Sequence, residues 1–250
     1  MIVLTNDDGI DAPGIRALLA GVNSLTFGRT PGEVREDSNL SNNKPGQKPD
    51  EKIIIAPRDP HSGCGHQVTT KFPIQVQQLS PGEYAIAGTP ADCTRIAIHH
   101  LCSQISWVLS GINSGGNLGV DVYISGTVAA VREAAFHGIP GIAISQYRAG
   151  GKPVNWERAR DLTAQVLFTL LQRPLEPGHF WNVNLPYLEL EAPEPDFIFC
   201  QPSTQPLPLD YQIEGDALSY IGNYSQRQRQ PGTDVEVCFG GDVAITLLKL

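Results

Sequence analysis

The chain has few cysteines, little basic charge and no long apolar run, and each shortage removes a class of protein. Its five cysteines (Cys64, Cys93, Cys102, Cys200 and Cys238) are odd in number and form no Cys-x-x-Cys pair. That argues against a disulfide framework or a zinc knuckle and for a reducing, cytoplasmic setting. Lysine and arginine total 18 against 26 aspartates and glutamates, a formal charge of -8. Without a basic stripe, polymeric nucleic acid is not expected as the main partner. Hydrophobic residues make up 41%, yet no run reaches the length of a membrane span. The N-terminus has neither the basic segment nor the apolar core of a signal peptide, so none is expected. No Gly-x-Gly-x-x-Gly follows the first strand candidate, and Gly115-Gly116-Asn117-Leu118-Gly119 is a weak substitute, which disfavours a dinucleotide-binding domain. The 250 residues suffice for one large α/β domain, or one domain with an appendage.

What is present begins at the first residue. Met1-Ile2-Val3-Leu4-Thr5-Asn6-Asp7-Asp8-Gly9 is a short apolar run ending in two adjacent carboxylates and a glycine. Such a run reads as a buried strand, and in open parallel sheets ligands bind just beyond the carboxyl ends of strands. Successive strand side chains point to opposite faces, so both carboxylates can serve one ligand only if the chain leaves strand geometry, as Gly9 permits. Two close carboxylates repel, and a divalent cation removes that repulsion. The pattern recurs. Lys52-Ile53-Ile54-Ile55-Ala56 leads into a loop holding His61, Ser62, Gly63, Cys64, Gly65 and His66. Ile105–Ser110 leads into Gly111-Ile112-Asn113-Ser114-Gly115-Gly116-Asn117, and Gly141–Ser145 ends in Gln146. Parallel strands would bring these polar loops to one rim.

Helices are expected at Ile15–Asn23, Ala91–Cys102, Thr127–His137 and Trp156–Gln172. The third starts with Ser125-Gly126-Thr127, which supplies caps and free backbone N–H groups, a ready phosphate site, and stops at Gly138 before Pro140. Beyond Pro174 strand and loop signals dominate: Asn182–Leu185, Asp234–Cys238 and Val243–Leu247 read as strands between Pro-rich loops. The expected organisation is a Rossmann-like core over 1–178, with a mostly parallel sheet flanked by helices, and a strand-rich C-terminal part over 179–250 that serves oligomerisation. A polar, Gly- and Pro-rich stretch at about 28–51 interrupts the core and reads as a solvated insert.

These residues together resemble the SurE family of metal-dependent survival-protein nucleotidases. The matching segments are TNDDGIDAPGI at 5–15, IIIAPRDPHSGCGH at 53–66, GTPADCTRIAI at 88–98, the long run from Val108 to Ser145, WNVNLP at 181–186 and the final GTDVEVCFGGDVAITLL. The resemblance implies a phosphomonoesterase acting on nucleoside monophosphates, possibly with short polyphosphate as a second substrate. It implies one divalent metal ion per subunit on Asp7, Asp8, Ser62 and Asn113. It also implies a homodimer or homotetramer whose C-terminal segments exchange. Two carboxylates, a hydroxyl and an amide oxygen suit hard cations, Mg²⁺ or Mn²⁺, with Ca²⁺ possible in a crystal. Such an ion can polarise a phosphoryl group and activate water, with no covalent phosphoenzyme. Ser114, Ser125, Gly126 and Thr127 are the candidate phosphate contacts beside Asn113.

The chain departs from the family in the insert, in Arg58-Asp59 where an acid more often follows the proline directly, and over Glu194–Gln212, a segment that in the family helps shape the substrate entrance. His61 and His66 flank Ser62, and His66 is the stronger candidate general acid toward the leaving alkoxide. His99 and His100 read as structural, in an apolar helix pattern. Cys64 lies near the proposed site and reads as an inert small loop residue, with oxidation liability as the alternative. Two other readings of an acidic pair after a strand remain. A haloacid-dehalogenase-type phosphatase needs Asp-x-Asp, where this chain has Asn-Asp-Asp-Gly. A Mg²⁺-binding receiver-like signalling module needs a phosphoacceptor aspartate and a late lysine that are not evident.

Overall fold

The computed structural model describes residues 1–25, 51–189 and 191–250. All of the polar stretch at 28–51 except Glu51 lies outside the described residues, and so does the expectation of a solvated insert there.

The apolar runs form the strands expected of them. β1 (Ile2–Thr5), β2 (Lys52–Pro57), β5 (Trp107–Ser114), β6 (Gly141–Gln146) and β7 (His179–Leu185) lie side by side and parallel in the order β2-β1-β5-β6-β7. Leu4 registers with Ile54 on one side and Leu109 on the other. Side chains alternate between two cores, as strand geometry requires. Ile2 and Leu4 pack under α1 (Pro13–Ser24) and α4 (Trp156–Leu170), whereas Val3 packs under α2 (Pro90–Ile96) and α3 (Gly126–Phe136). Ile15, Leu18 and Val22 recur at helical spacing along α1 and are all buried, each contributing roughly 1.5–3 kcal/mol of apolar burial. Pro13 sits at the first position of α1, where its fixed φ is favourable. Thr89 and Asp92 form a capping box on α2, Ser125 caps α3 and Asn155 caps α4.

β3 (Val76–Ser80) and β4 (Glu83–Ile86) add a hairpin beside β2, with β3 antiparallel to β4 at the sheet edge. At the other side, β11 (Val243–Lys249) lies between β7 and β8 (Phe197–Phe199), so the sheet has nine strands. The strand-rich C-terminal part is therefore continuous with the core sheet across residue 178. Among the described residues only β9 (Tyr211–Glu214) and β10 (Ala217–Tyr220) stand apart, as a two-stranded hairpin exposed at every position.

Two expectations are corrected. Asp234–Cys238 is not a strand but the body of α5 (Asp234–Gly240). The alternation of Val235 and Val237 suggested period two, but the buried set also includes Cys238. Acidic Asp234 and Glu236 in its first turn and a left-handed Gly241 (φ 107°) at its end are helix signals that outweigh the alternation. His99 and His100 are exposed, on a wide π-type turn at Ala97–Leu101 that ends α2. They line the wall of a 720 Å³ surface hollow with Arg95 and His137 and are no part of the core.

Candidate active site

The carboxyl ends of β1, β2, β5 and β6 open on one rim, and the polar loops meet there. β1 stops at Thr5 and the chain turns away at once. Asn6 donates from its amide to the Gly9 carbonyl at 2.7 Å, and Gly9 takes φ 99°, a region that costs a side chain strain. This turn frees Asp7 and Asp8 from strand alternation.

Asp7 is 5% exposed and meets the start of α3. Thr127 donates its hydroxyl to Asp7 Oδ1 at 2.5 Å. Gly126 lies against the same side chain: a Cβ there would sit 2.9 Å from Asp7 Cβ and 2.9 Å from Cys64 Sγ, so only glycine fits. Asp8, half-buried, accepts from the Ser114 backbone N–H at 3.1 Å through Oδ2. Neither carboxylate has an ion-pair partner among the described residues. Burial, with the nearby Asp8 charge, pushes the Asp7 carboxyl up to about 6 despite the Thr127 hydrogen bond, which pulls the other way. A buried acid beside a second acid with no counter-charge is a place where a cation lowers the energy.

The other donors are oxygens. Asn113 gives its side-chain N–H to Gly115 O at 2.9 Å, and its amide oxygen accepts no hydrogen bond among the described residues. Ser62 is exposed on a loop tied down on both sides, by His61 N–H to Asp7 O at 2.7 Å and by Cys64 against Gly126. No cluster of three His, Cys, Asp or Glu side chains suited to a metal exists among the described residues. The candidate donors are thus a hydroxyl, an amide and two carboxylates, a set that would suit a hard divalent ion better than zinc.

Some candidates land elsewhere. Thr127 is fully buried and its hydroxyl is committed to Asp7, so that hydroxyl positions the acid. Ser125 accepts from the Val128 N–H that it caps, which leaves its O–H free to donate. Ser114, Ser125 and Gly126 lie at the rim beside the acidic pair. His66 is not brought to the pair. Its Nε2 lies 2.8 Å from Glu133 Oε2 and its Nδ1 3.5 Å from Arg132 Nη1, so both ring nitrogens are taken. Glu133 is seven residues along α3 from Gly126, two turns further on the same face and about 10 Å away at the helix rise. The general-acid reading of His66 does not fit this placement.

A supporting network was missed in the sequence. Asn117 donates its backbone N–H to Asn184 Oδ1 at 2.7 Å and its side chain to Ser145 Oγ at 2.7 Å. Its carbonyl accepts from Asn182 and Asn184. The signal was legible in retrospect: Trp181-Asn182-Val183-Asn184-Leu185 puts two amides at period two in a fully buried strand. From the C-terminal side, Arg227 pairs with Asp121 at 2.7 Å and donates to Leu118 O, Tyr224 donates to Asp121, and Asp234 accepts from Gly119 and Ser203. These bonds pin residues 203–234 to the turn that leads into α3.

Fold and rim together define a Rossmann-like α/β protein with an acidic pair at the carboxyl edge of its sheet. The family profile described as "Survival protein SurE" matches residues 39–205, and the chain belongs to the SurE family. A relative from Nostoc sp. is 55% identical over 249 residues, spanning 100% of this chain and 99% of its own length. A protein named 5'-nucleotidase SurE, from Geobacter metallireducens, is 33% identical and aligns over 100% of this chain and 91% of its own. The crystal structure of the SurE protein from Aquifex aeolicus superposes with a TM-score of 0.79 at 26% identity, covering 99% of this chain and 92% of that one. The profile match starts after the acidic pair, whereas the whole-length alignments span it.

Proposed function

We propose that the protein is a divalent-metal-dependent 5'-nucleotidase, a phosphomonoesterase that releases inorganic phosphate from nucleoside monophosphates. The names of the 5'-nucleotidase relatives support the reaction class. The observation that carries the metal dependence is the buried Asp7 beside Asp8, held in place by hydrogen bonds yet without a cation among the described side chains. Asp7, Asp8, Ser62 and Asn113 are the proposed ligands of one Mg²⁺ or Mn²⁺ per subunit. When bound, such an ion supplies a Lewis acid for phosphoryl oxygens and lowers the pKa of water.

The chain's own residues do the rest. Thr127 and Ser114 lock the two carboxylates before substrate arrives, so no reorganisation is needed in the reaction. Gly126 lets Asp7 and Cys64 pack directly against the start of α3, and that helix start contributes positive potential beside the acid. Ser114 and Gly126 are the proposed phosphate contacts. Asp7 is buried and bonded to Thr127, a poor position for a nucleophile, which supports water attack over a phosphoaspartate. Short polyphosphate is a proposed second substrate. All five cysteines are free, which supports a reducing cytoplasm. No helix among the described residues is long and apolar enough to cross a membrane.

A panel of 5'- and 3'-nucleoside monophosphates, assayed with Mg²⁺, with Mn²⁺ and with EDTA, tests the reading. Metal-dependent release that favours the 5' position is expected, with no trapped phosphoenzyme. Release unaffected by EDTA, or a stable acyl phosphate on Asp7, would overturn it.

A further inference from the structure

Ser62 makes no hydrogen bond among the described residues, so its position depends on how its loop is anchored. Two anchors are backbone bonds, His61 N–H to Asp7 O at 2.7 Å and Gly65 N–H to Ile124 O at 3.0 Å. The third is the His66 side chain, 20% exposed, wedged between Glu133 at 2.8 Å, Arg132 at 3.5 Å and the Phe136 ring at 5.2 Å between centroids. Glu133 itself is 7% exposed in the middle of an alanine-rich helix, an expensive place for a carboxylate. His137 at 3.3 Å and Arg95 at 3.9 Å complete its surroundings. Burial alone would raise its carboxyl; the hydrogen bonds from His66 and His137, with the charge of Arg95, outweigh burial and hold it below its usual range. A neutral His66 that donates from Nε2 to Glu133 and accepts at Nδ1 from Arg132 satisfies both nitrogens.

We propose that Glu133 is a positioning residue. It clamps His66, and through it the loop that presents Ser62, onto the helix whose first turn fixes Asp7. Both halves of the proposed ion site are then referenced to one rigid element, α3. The inference rests on the phosphomonoesterase reading for its effect on catalysis, but the clamp itself can be measured independently.

Hydrogen exchange on the full chain reads the clamp directly. In Glu133→Ala the amides of His61, Cys64 and Gly65 should exchange at least about tenfold faster than in wild type. Glu133→Gln, which keeps an acceptor, should stay near wild type. His66→Ala, at a partly exposed position, should reproduce the faster exchange even if Glu133→Ala folds poorly. The half-saturating Mn²⁺ concentration for thermal stabilisation should rise about 10–100-fold in Glu133→Ala and His66→Ala, and much less in Glu133→Gln. Kinetics separate clamp from proton donor. p-Nitrophenyl phosphate has a good leaving group and needs no general acid, whereas a nucleoside monophosphate does. A clamp predicts that His66→Ala slows both substrates alike, mostly through KM for metal and substrate, with an unchanged pH profile. Loop exchange unchanged in Glu133→Ala, or His66→Ala sparing p-nitrophenyl phosphate while abolishing nucleotide hydrolysis, would overturn it. If wild type hydrolyses neither substrate, the phosphatase reading fails and the exchange data still decide the clamp.

Discussion

At the scale of single residues, the acidic pair was legible because adjacent carboxylates at a strand end have few structural uses. The partners of that pair were not, since nothing local says which helix abuts the strand. Thr127 looks like a phosphate contact in sequence and turns out to hold Asp7. That contact makes a stability prediction. The Asp7 carboxyl is raised from 3.8 to about 6 in the folded state, so its charged form costs stability. The cost is fully present above pH 6 and fades as pH falls toward 3.8, the reverse of a salt-bridged acid. It amounts to about 3 kcal/mol at pH 7.5 in metal-free protein. Asp7→Asn keeps an acceptor for Thr127 and removes the charge. In EDTA at pH 7.5 its Tm should therefore exceed that of wild type, and its melts should lose the part of the pH dependence between 6 and 4. A Tm several degrees below wild type under those conditions would contradict the assignment.

At the scale of elements, long periodic segments read well: α1, α3 and α4 fall where apolar spacing and caps placed them, with ends within a few residues. Short elements did not. α5 is a seven-residue helix whose valines mimic a strand, and the all-exposed β3 and the β9–β10 hairpin have no apolar run to announce them. The attachment of the C-terminal segment also escaped the sequence, because Arg227 and Asp121 are separated by over a hundred residues and meet only in the fold. Arg227 is 1% and Asp121 8% exposed, so removing one partner strands a buried charge. Arg227→Met should cost about 3–5 kcal/mol in urea unfolding, and adding Asp121→Asn should restore part of it. A cost below about 1 kcal/mol would show that the pair is dispensable. Because the same bonds hold the turn before α3, the variant should also lose activity out of proportion to the folded fraction.

At the scale of the molecule, the core was legible as a parallel α/β sheet, but the division at residue 178 was not a break in that sheet. β11 lies between β7 and β8, with Ile245 registered on Val183 and Phe199. Removing Pro231–Leu250 should therefore abolish folding, whatever the assembly state. Among the described residues, the β9–β10 arm is the proposed surface for meeting another subunit. Ile213 is 69%, Leu218 60% and Ile221 59% exposed, more apolar surface than a lone two-stranded hairpin keeps in water without a partner. Light scattering of the full chain should give a dimer or tetramer. Ile213→Asp with Leu218→Asp should shift it toward monomer while leaving the circular dichroism unchanged. A clean wild-type monomer at micromolar concentration would exclude the arm as an assembly surface.

The claim on which the rest depends is that the Asp7–Asp8 rim holds the divalent ion required for phosphate release. The most direct measurement is initial-rate phosphate release from a nucleoside 5'-monophosphate by metal-stripped protein, titrated with Mn²⁺, for wild type and Asp8→Asn side by side. Wild type should be inactive without metal and activate saturably. Asp8→Asn should fold equally well and lose about 100–1,000-fold or more in rate at limiting metal. Near-wild-type turnover by Asp8→Asn at limiting Mn²⁺, or full wild-type activity in EDTA, would contradict the account.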